Sequence, residues 1–543
     1  MKKQLSFLLL FSFFLLSGCH VGDDSTTVAS TTSDYDTHFE ISVAFWDIQA
    51  MESATTKDPM WECIEEKFNI TLLPINLNWS DYNERLLIMS VSDSLPDVFA
   101  TNTLINESTP LLIEDLLNRE LIRSLPSDLV AYPNISWTVS ELREFITFTD
   151  DQIYAFPRCS FLDSSLSSSD AGVLVRKDWL DTLGIEPPQN IEEFIAMTAA
   201  FAGDDPDGNG LDDTIGYNSN TVTTLGKWLN LGIAPHCNVY SWVESDTLFI
   251  PSFLTPEFEQ VVTSYRKLYE VGGLDPNFYT KKTNDALYDF ARGKLGVLEH
   301  KLSPAAISEV EIQWNSFQGN ALPFEEAVTY LRIFPSPEGI TYSNSSLQFW
   351  SESMFSSNVD DEKMERILAL YDYLISEEGF MLTRYGMENL DYTIDESGNY
   401  VCLLDTSKDS LNALLTKKYP ALNLFKSLAT WGGTQDDFFP NTANILRYGE
   451  HPTQLAYDSL IWNHENTTPI SRADTFNSLI KKNNTRFSIT SMQDDFIEVI
   501  IGTDDPIAMW HNKIEAWYQN GLEEYILEQN ELANEKGIFV TKE

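Results

Sequence analysis

The chain has 543 residues, 43% of them hydrophobic and 22% charged, which is typical of a globular protein and not of a disordered one. Its 35 Lys and Arg against 82 Asp and Glu give a formal net charge of −47. So negative a surface disfavours binding to nucleic acid, or to anionic lipid through a basic patch. The length exceeds that of a single core and predicts two or more lobes.

The N-terminus resembles the leader of a bacterial lipoprotein. Two lysines precede an apolar run, residues 5–16, which suits a signal-peptide core and is too short to cross a bilayer. The sequence Leu16-Ser17-Gly18-Cys19 then resembles a lipobox, in which the cysteine is lipidated and becomes the mature N-terminus. We therefore predict a signal peptide over residues 1–18 and a membrane anchor at Cys19, with a mature charge of 33 − 82 = −49. A plain secretory signal is the alternative.

Residues 19–37 are rich in Ser, Thr and Asp and lack core-forming side chains, which predicts a flexible tether. Beyond the tether lie four cysteines at widely separated positions without CxxC spacing: Cys63, Cys159, Cys237 and Cys402. An even number outside the cytoplasm permits disulfides, but a chain of this length does not need them, and we predict isolated buried thiols.

The first part of the globular region follows a β-α-β-α-β pattern, typical of a parallel sheet covered by helices. Apolar periodicity predicts strands over 39–46, 70–77 and 97–100, with helices over 60–68 and 81–90 between them. A connecting strand is predicted over 151–157, and a new βα unit opens at 173–175. Capping residues predict helices that begin at Asn190 and Pro256, and further helices are predicted over 284–292, 364–375 and 507–533. Later strands are predicted over 295–298 and 327–334.

Several short segments, in this order behind the lipobox, resemble those of family 1 extracellular solute-binding proteins. The resemblance is to the large LipO-like lipoproteins that serve carbohydrate ABC importers, and it runs over nearly all of the mature chain. The matching segments are Leu95-Pro96-Asp97-Val98, Tyr154-Ala155-Phe156-Pro157, Val175-Arg176-Lys177-Asp178-Trp179-Leu180, Leu183-Gly184-Ile185, Asp205-Pro206-Asp207-Gly208-Asn209-Gly210, Gly293-Lys294-Leu295-Gly296 and Tyr385-Gly386-Met387-Glu388.

This resemblance implies an α/β, two-lobed periplasmic-binding-protein-like fold with a hinge and a ligand cleft between the lobes. Carried onto this chain, lobe one is expected to hold residues 38–157 and 295–340, and lobe two residues 158–294 and 341–543. Ligands of such sheets bind at the carboxyl ends of the strands, where loops from both lobes meet.

Aromatic and polar residues at strand ends and lobe crossings are the candidates for this cleft, because Trp and Tyr stack on the apolar faces of sugar rings. For each candidate, packing in the core is the alternative reading. The candidates are Trp46, Asp47, Asn102, Tyr154, Arg158, Trp350 and Trp431. Of these, Trp46 and Trp431 are favoured.

The segment from 205 to 213 has the oxygen spacing of the first part of an EF-hand loop, with Gly at the sixth position. Position twelve is Gly216, so the usual bidentate Glu is absent, and an acidic surface turn is the alternative. Alginate-binding members of the resembled family have a similar loop that holds structural calcium. The predicted Ca²⁺ ligands are Asp205, Asp207, Asn209, the carbonyl of Leu211, Asp213 and Thr214.

Catalytic motifs such as GxSxG, HExxH and GxxxxGK[ST] do not occur in the sequence. We therefore predict a monomeric, non-enzymatic receptor, lipid-anchored on the outer face of the cell membrane, that binds an oligosaccharide and delivers it to the permease subunits of an ABC importer. A peptide- or polyol-binding receptor of the same fold and a surface glycosidase are the alternatives.

Overall fold

The computed structural model describes residues 35–535, apart from 47, 49–56, 105–112, 148–151, 161–165, 167–170, 220–226, 238–240, 283, 318, 320–321, 345–347, 431–433 and 471–491. The strands are β1 (Phe39–Ala44), β2 (Ile70–Pro74), β3 (Val98–Thr101), β4 (Ala155–Cys159), β5 (Ala171–Arg176), β6 (Ile215–Ser219), β7 (Trp242–Ser245), β8 (Leu248–Pro251), β9 (Leu295–Lys301), β10 (Val328–Tyr330), β11 (Tyr342–Asn344), β12 (Phe349–Phe355), β13 (Tyr392–Ile394), β14 (Tyr400–Cys402) and β15 (Thr468–Ile470).

The α-helices begin at residues with capping side chains in several places. Asn190 accepts a hydrogen bond from the Glu193 amide, as its position predicts, and Thr255 caps the helix that opens with Pro256. The helices are α1 (Pro59–Phe68), α2 (Tyr82–Val91), α3 (Ile113–Asn118), α4 (Pro133–Glu141), α5 (Arg143–Ile146), α6 (Lys177–Leu183), α7 (Ile191–Gly203), α8 (Asn230–Ile233), α9 (Pro256–Glu270), α10 (Asp285–Ala291), α11 (Pro304–Ser316), α12 (Phe324–Ala327), α13 (Asp361–Leu374), α14 (Glu377–Tyr385), α15 (Leu411–Lys418), α16 (Leu422–Ala429), α17 (Thr442–Tyr448), α18 (Glu450–Asn466), α19 (Met492–Ile501), α20 (Pro506–Gln519) and α21 (Leu522–Glu535).

The first sheet has the strand order β2-β1-β3-β12-β4. β1 is parallel to β2 and β3, which confirms the predicted β-α-β-α-β unit, and β12 runs antiparallel to both β3 and β4. The carboxyl ends of β1, β3 and β4 therefore lie at the same edge as the beginning of β12. We call this the carboxyl edge of the first sheet.

The second sheet has the order β10-β5-β9-β6 and corrects the predicted lobe boundaries. Residues 295–340 are expected in lobe one, but β9 pairs with β5 and β6, and β10 pairs with β5. The core of the first sheet also includes side chains of α13, α15 and α16, which the prediction assigns to lobe two. Both errors have one cause, since a strand pattern in the sequence does not reveal which sheet a non-local pairing will extend.

Two shorter corrections concern local structure. The helix predicted over 507–533 is two helices, because Asn520 and Gly521 separate α20 from α21 and Gly521 has a φ of +99°. The strand predicted over 327–334 is limited to β10. Cys159 and Cys237 are buried free thiols, as predicted, whereas Cys63 and Cys402 are only half-buried. Within the described ranges, no helix has both the length and the hydrophobicity to cross a membrane.

The chain passes between the two sheets three times. The first crossing follows β4, the second precedes β12 and the third follows α16, and all three meet at Ser160. The Ser160 amide donates a hydrogen bond to the Gln348 carbonyl at 2.8 Å, just before β12. The Gln435 amide donates to the Ser160 carbonyl at 2.9 Å, just after α16 and the third passage. Backbone hydrogen bonds thus hold the three crossing segments side by side.

A buried charge network lies beside the third crossing. Asp437 accepts hydrogen bonds from Arg447 and from the Tyr448 hydroxyl, and its carboxylate lies 3.7 Å from the Arg384 guanidinium. Burial opposes ionisation, but the charges of Arg447 and Arg384 outweigh it and hold the pKa of Asp437 well below its usual range. This carboxylate therefore links a helix of the first lobe, the crossing segment and α17.

Asp437→Asn removes the anion while the guanidinium groups of Arg447 and Arg384 stay buried around it. Breaking a buried ion pair by removing one partner costs about 3–5 kcal/mol, and we expect the free energy of unfolding to fall by this amount in urea denaturation. Asp436→Asn is the matched control, because burial already raises the pKa of Asp436 and favours its neutral form. Equal losses in the two variants would contradict this account of the network.

Candidate functional site

Four aromatic rings stand in series at the carboxyl edge of the first sheet. Trp46 follows β1 and packs on Tyr82 of α2, with ring centroids 4.6 Å apart, and on Trp350 of β12 at 5.0 Å. Trp350 in turn stacks on Trp79 at 5.7 Å, with an angle of 18° between the rings. We call these four residues the aromatic series.

The series runs from the core to solvent. The Tyr82 hydroxyl is buried and donates to the carbonyls of Ala44 and Ala100, which ties the ends of β1 and β3 together. Trp46 is 3% exposed, Trp350 is half-buried and Trp79 is 51% exposed. Each ring therefore supports the next, and the outermost ring presents a flat apolar surface to solvent.

A polar cluster lies beside these rings, where β3 ends against β12. The Glu352 carboxyl group is fully buried and accepts hydrogen bonds from the Thr101 hydroxyl and the Thr103 amide, both at 2.6 Å. Three polar atoms there are buried without a hydrogen-bond partner among the described residues: Asn102 Oδ1, Thr103 Oγ1 and Glu352 Oε2. Because unpaired buried polar atoms are costly, these atoms are suited to receive hydroxyl groups or water.

Burial raises the pKa of Glu352 to about 7, although the hydrogen bonds from Thr101 and the residues after it and the charge of Arg158 act in the opposite direction. Near neutral pH the group can therefore donate a hydrogen bond as an acid or accept one as a carboxylate. Such a group can bind a hydroxyl in either role.

Arg158 lies inside the site and connects three of its elements. Its guanidinium is fully buried, donates to the Ser351 hydroxyl at 3.1 Å and to the Ser427 carbonyl, and lies 5.3 Å from the Phe45 ring. Burial lowers the pKa of Arg158 to about 10, so it stays charged at neutral pH. These contacts join β4, β12 and α16, and they keep the side chain away from the surface.

The predicted cleft residues fall into three groups. The first group, formed by Trp46, Trp350 and Asn102, lies together at the carboxyl edge. Arg158 is interior, and Tyr154 precedes β4 and so lies at the opposite edge of the sheet. The remaining two, Asp47 and Trp431, lie outside the described residues.

Sequence reasoning overlooked Trp79 and Glu352. Trp79 follows the second strand of the β-α-β-α-β unit, so the strand-end argument that selects Trp46 could also have found it. Glu352 gives no such signal, because its burial depends on partners 249 to 251 residues away in the sequence.

The second sheet offers aromatic and amide groups at its own carboxyl edge. Glu299 of β9 accepts hydrogen bonds from the Tyr217 hydroxyl and, at 3.3 Å, from the Trp228 amide. In the second crossing, the exposed Arg332 lies over the Trp462 ring at 5.5 Å, in a small pocket that Trp228 also lines. Both sheets therefore direct aromatic rings to the edges from which the crossing segments leave.

The loop between α7 and β6 gathers the carboxylates predicted to bind calcium around one amide. Asn209 donates from its side chain to Asp207 at 2.8 Å and to Asp213 at 3.1 Å, and its backbone amide donates to Asp205 at 3.0 Å. Burial, with Asp205 and Asp213 nearby, raises the pKa of Asp207. The Thr214 hydroxyl is buried without a hydrogen-bond partner in the part of the chain described.

This arrangement differs from a preformed metal cage. Among the described residues, no group of three or more His, Cys, Asp or Glu side chains is placed to hold a metal ion. The missing Glu at position twelve has a packing reason: a Cβ on Gly216 would lie 2.2 Å from the Thr198 carbonyl and 2.4 Å from that of Gly273. The loop itself lies at the amino end of β6, away from the carboxyl edge.

Glu352 makes the stability of the protein depend on pH. Its pKa rises from 4.5 to about 7 on folding, so the native state holds an extra proton between these values. Stability therefore falls as the pH rises from about 4.5 to 7, by on the order of 3 kcal/mol. In urea denaturation at several pH values, Glu352→Gln should flatten this part of the profile, and Glu62→Gln, at an exposed position, should not. A Glu352→Gln profile parallel to that of the wild type would contradict the assignment.

Comparison with known proteins gives relatives over most of the chain, although no family model matches it. The chain is 22% identical over 485 residues to the polygalacturonan/rhamnogalacturonan-binding protein YtcQ of Bacillus subtilis, covering 87% of this chain and 88% of that protein. It is 24% identical over 376 residues to lipoprotein LipO of the same species, covering 66% and 69%.

Solved structures agree on the fold. The crystal structure of the alginate-binding protein AlgQ2 without calcium ion aligns with a TM-score of 0.65 and 15% identity, covering 93% of this chain and all of that one. Similarity at this level of identity establishes the architecture alone. The chain therefore has the two-lobed α/β fold of solute-binding proteins, as its resemblance to them predicts.

Proposed function

We propose that this protein is a lipid-anchored receptor outside the cytoplasmic membrane that binds an oligosaccharide and delivers it to an ABC importer. The observation that carries the proposal is the aromatic series at the carboxyl edge, which ends in the half-exposed Trp79. A large ring exposed beside buried, unpaired polar atoms is suited to a ligand that has both apolar faces and hydroxyl groups.

A sugar ring meets these requirements. One face of a pyranose or furanose is apolar and can lie on the Trp79 indole, which Trp350 holds in place from its other side. Hydroxyl groups at the ring edge can bond to Asn102 Oδ1 and Glu352 Oε2, which lack partners among the described residues. A rigid platform loses little conformational entropy on binding, and this favours affinity.

The names of the relatives support the ligand class. YtcQ is named for binding polygalacturonan and rhamnogalacturonan, and AlgQ2 for binding alginate, so both are carbohydrate-binding proteins. The three crossing segments joined at Ser160 supply a hinge about which two lobes can close on a ligand. Lobe closure is the signal that we propose the permease subunits recognise.

The lipid anchor rests on the sequence Leu16-Ser17-Gly18-Cys19, which lies outside the described residues, and on the similarity to a protein named lipoprotein LipO. With the anchor at Cys19, residues 19–37 would tether the lobes to the outer face of the membrane. We propose a receptor that transfers its ligand unchanged, without enzymatic activity.

The ligand experiment is a thermal-shift screen of the purified protein against a glycan library, with peptides and polyols as competing classes. A specific ligand raises the melting temperature by mass action, so we expect oligosaccharides to give the largest shifts. Each positive glycan is then incubated with the protein and analysed for length. Shifts confined to peptides or polyols, or the release of shorter sugars, would replace the proposal with one of its alternatives.

Trp79→Ala should weaken binding of the glycan that the screen identifies. Stacking on an aromatic ring contributes about 1–3 kcal/mol in nucleic-acid recognition, and the same order for a sugar gives roughly fivefold to hundredfold weaker binding by calorimetry. Tyr518→Ala is the matched control, since Tyr518 is similarly exposed on α20, which packs against α9 and α19 in the second lobe. Unchanged affinity in Trp79→Ala would exclude this ring from the site.

Cys19→Ala should abolish anchoring. Without the thiol no lipid can be attached, so the variant should move from the membrane fraction to the soluble fraction when cells are fractionated without detergent. Replacing Cys63 instead should leave the distribution unchanged. Membrane association of Cys19→Ala through a later segment would show that Cys19 does not carry the anchor.

We propose that the loop after α7 binds a structural Ca²⁺ through Asp205, Asp207, Asn209, the Leu211 carbonyl, Asp213 and Thr214. The donors are all oxygen atoms, which Ca²⁺ prefers. The convergence of three carboxylates on Asn209 and the unpaired Thr214 hydroxyl support the proposal. The ion would neutralise carboxylates that otherwise repel each other, and its distance from the carboxyl edge makes its role structural.

Chelation should therefore lower the melting temperature of the second lobe without preventing sugar binding. Calcium at 100 times its dissociation constant stabilises a protein by about 2.7 kcal/mol, a difference that calorimetry in EDTA and in CaCl₂ would detect. Asp207→Ala should melt at the same temperature in both solutions. Identical wild-type curves with and without chelator would identify the loop as an acidic surface turn.

A further inference from the structure

A second cavity lies in the first lobe, apart from the aromatic series. It has a volume of about 120 Å³ and is enclosed by α4, β4, the end of α13, α14, α16 and the crossing residues 434–436. None of the rings of the aromatic series lines it. The cavity is therefore separate from the proposed sugar site.

Most of the wall is apolar. Trp137, Phe156, Phe380 and Phe425 line it, and Trp137 is 47% exposed, so the cavity reaches solvent beside α4. An apolar cavity of ~150 Å³ in another protein holds one benzene molecule. The space here thus suits an apolar group of about the size of one ring.

One wall carries an amino group that has no carboxylate partner among the described residues. Lys426 of α16 lines the cavity, and among the described residues its ammonium group has no hydrogen-bond or ion-pair partner. The nearby carboxylate, Asp437, is already bound to Arg447 and lies beside Arg384. Burial, followed by the charge of Arg384, lowers the pKa of Lys426 well below its usual range.

The other charged side chains of the cavity wall do not oppose the binding of an anion. Arg384 adds a second positive charge, and the Asp436 carboxyl is the one acid that lines the described cavity. Burial and then the neighbouring Asp437 raise the pKa of Asp436, which favours its neutral form. An anion entering the cavity would thus meet the Arg384 guanidinium and the Lys426 amino group, and its negative charge would raise the pKa of Lys426 and favour its charged form.

We propose that this cavity is a binding site for a small carboxylate with a ring-sized apolar body. The carboxylate pairs with Lys426, and the apolar body packs among Trp137, Phe156 and Phe380. Ser160 and Gln435, which join the crossing segments, also line the cavity, so the occupant touches the hinge.

Benzoate is a suitable probe, because it has one ring and one carboxylate. Benzamide is its uncharged counterpart, and both can be titrated into the purified protein by ligand-observed NMR or calorimetry. Lys426→Met removes the charge and keeps the length of the side chain, and Lys417→Met is the matched control at an exposed position of α15. Because Lys426→Met removes an amino group that has no partner among the described residues, we expect the variant to fold, which its circular dichroism and melting temperature will verify.

We expect benzoate to bind the wild type and Lys417→Met equally, and to bind Lys426→Met at least about tenfold more weakly, the loss typical of one charge-assisted hydrogen bond. Benzamide should bind all three proteins as weakly as benzoate binds Lys426→Met. The proposal is overturned if benzoate does not bind the wild type, if it binds Lys426→Met with wild-type affinity, or if benzamide binds as well as benzoate. If Lys426→Met does not fold, Ala429→Leu, which fills the cavity, replaces it and should abolish benzoate binding by the same criteria.

Discussion

The insertion of β12 between β3 and β4 is the interaction on which the site and the hinge both depend. This strand pairs with β3 through Thr101 and Glu352 and with β4 through Pro157 and the same glutamate. It brings Trp350 into the aromatic series and the Glu352 carboxyl group to the end of β3. Immediately before it, Gln348 accepts the hydrogen bond of Ser160. One non-local pairing thus places the platform, its polar neighbours and the crossing segments side by side.

Two kinds of support hold this edge rigid. The aromatic rings pack in sequence from Tyr82 outwards, so burial of the inner rings fixes the orientation of the half-exposed outer one. Charged groups act from the other side, where Arg158 connects β12 to α16 and Asp437 connects the third crossing to its neighbours. A binding surface assembled in this way can keep its shape while the two lobes rotate about the crossings.

Much of the architecture could be predicted from the sequence. The β-α-β-α-β unit and the cap at Asn190 follow from local patterns, and family-like segments led to the two-lobed fold. The assignment of 295–340 to lobe one failed because β9 joins its sheet through partners distant in the sequence. β12 is not among the strands predicted from the sequence. It buries the consecutive residues Ser351, Glu352 and Ser353, so the alternation of apolar and polar residues that normally indicates a strand is absent.

The residues of the candidate site likewise divide into those that local sequence patterns predict and those that depend on the folded structure. Strand-end reasoning led to Trp46, which proved to be an inner support, and the same reasoning extends to the exposed Trp79. The residues that could not be inferred are those whose role depends on tertiary contacts, such as Glu352 beside Thr103 and Lys426 in its cavity. Their chemistry comes from burial and from missing partners, which only the folded chain specifies.

The most direct test of the central claim is a crystal structure of the protein with the oligosaccharide that gives the largest thermal shift. We predict an intact sugar between the carboxyl edges of the two sheets, with the apolar face of one ring within about 4 Å of the Trp79 indole. A sugar bound elsewhere, or one that leaves Trp79 exposed to solvent, would contradict the account.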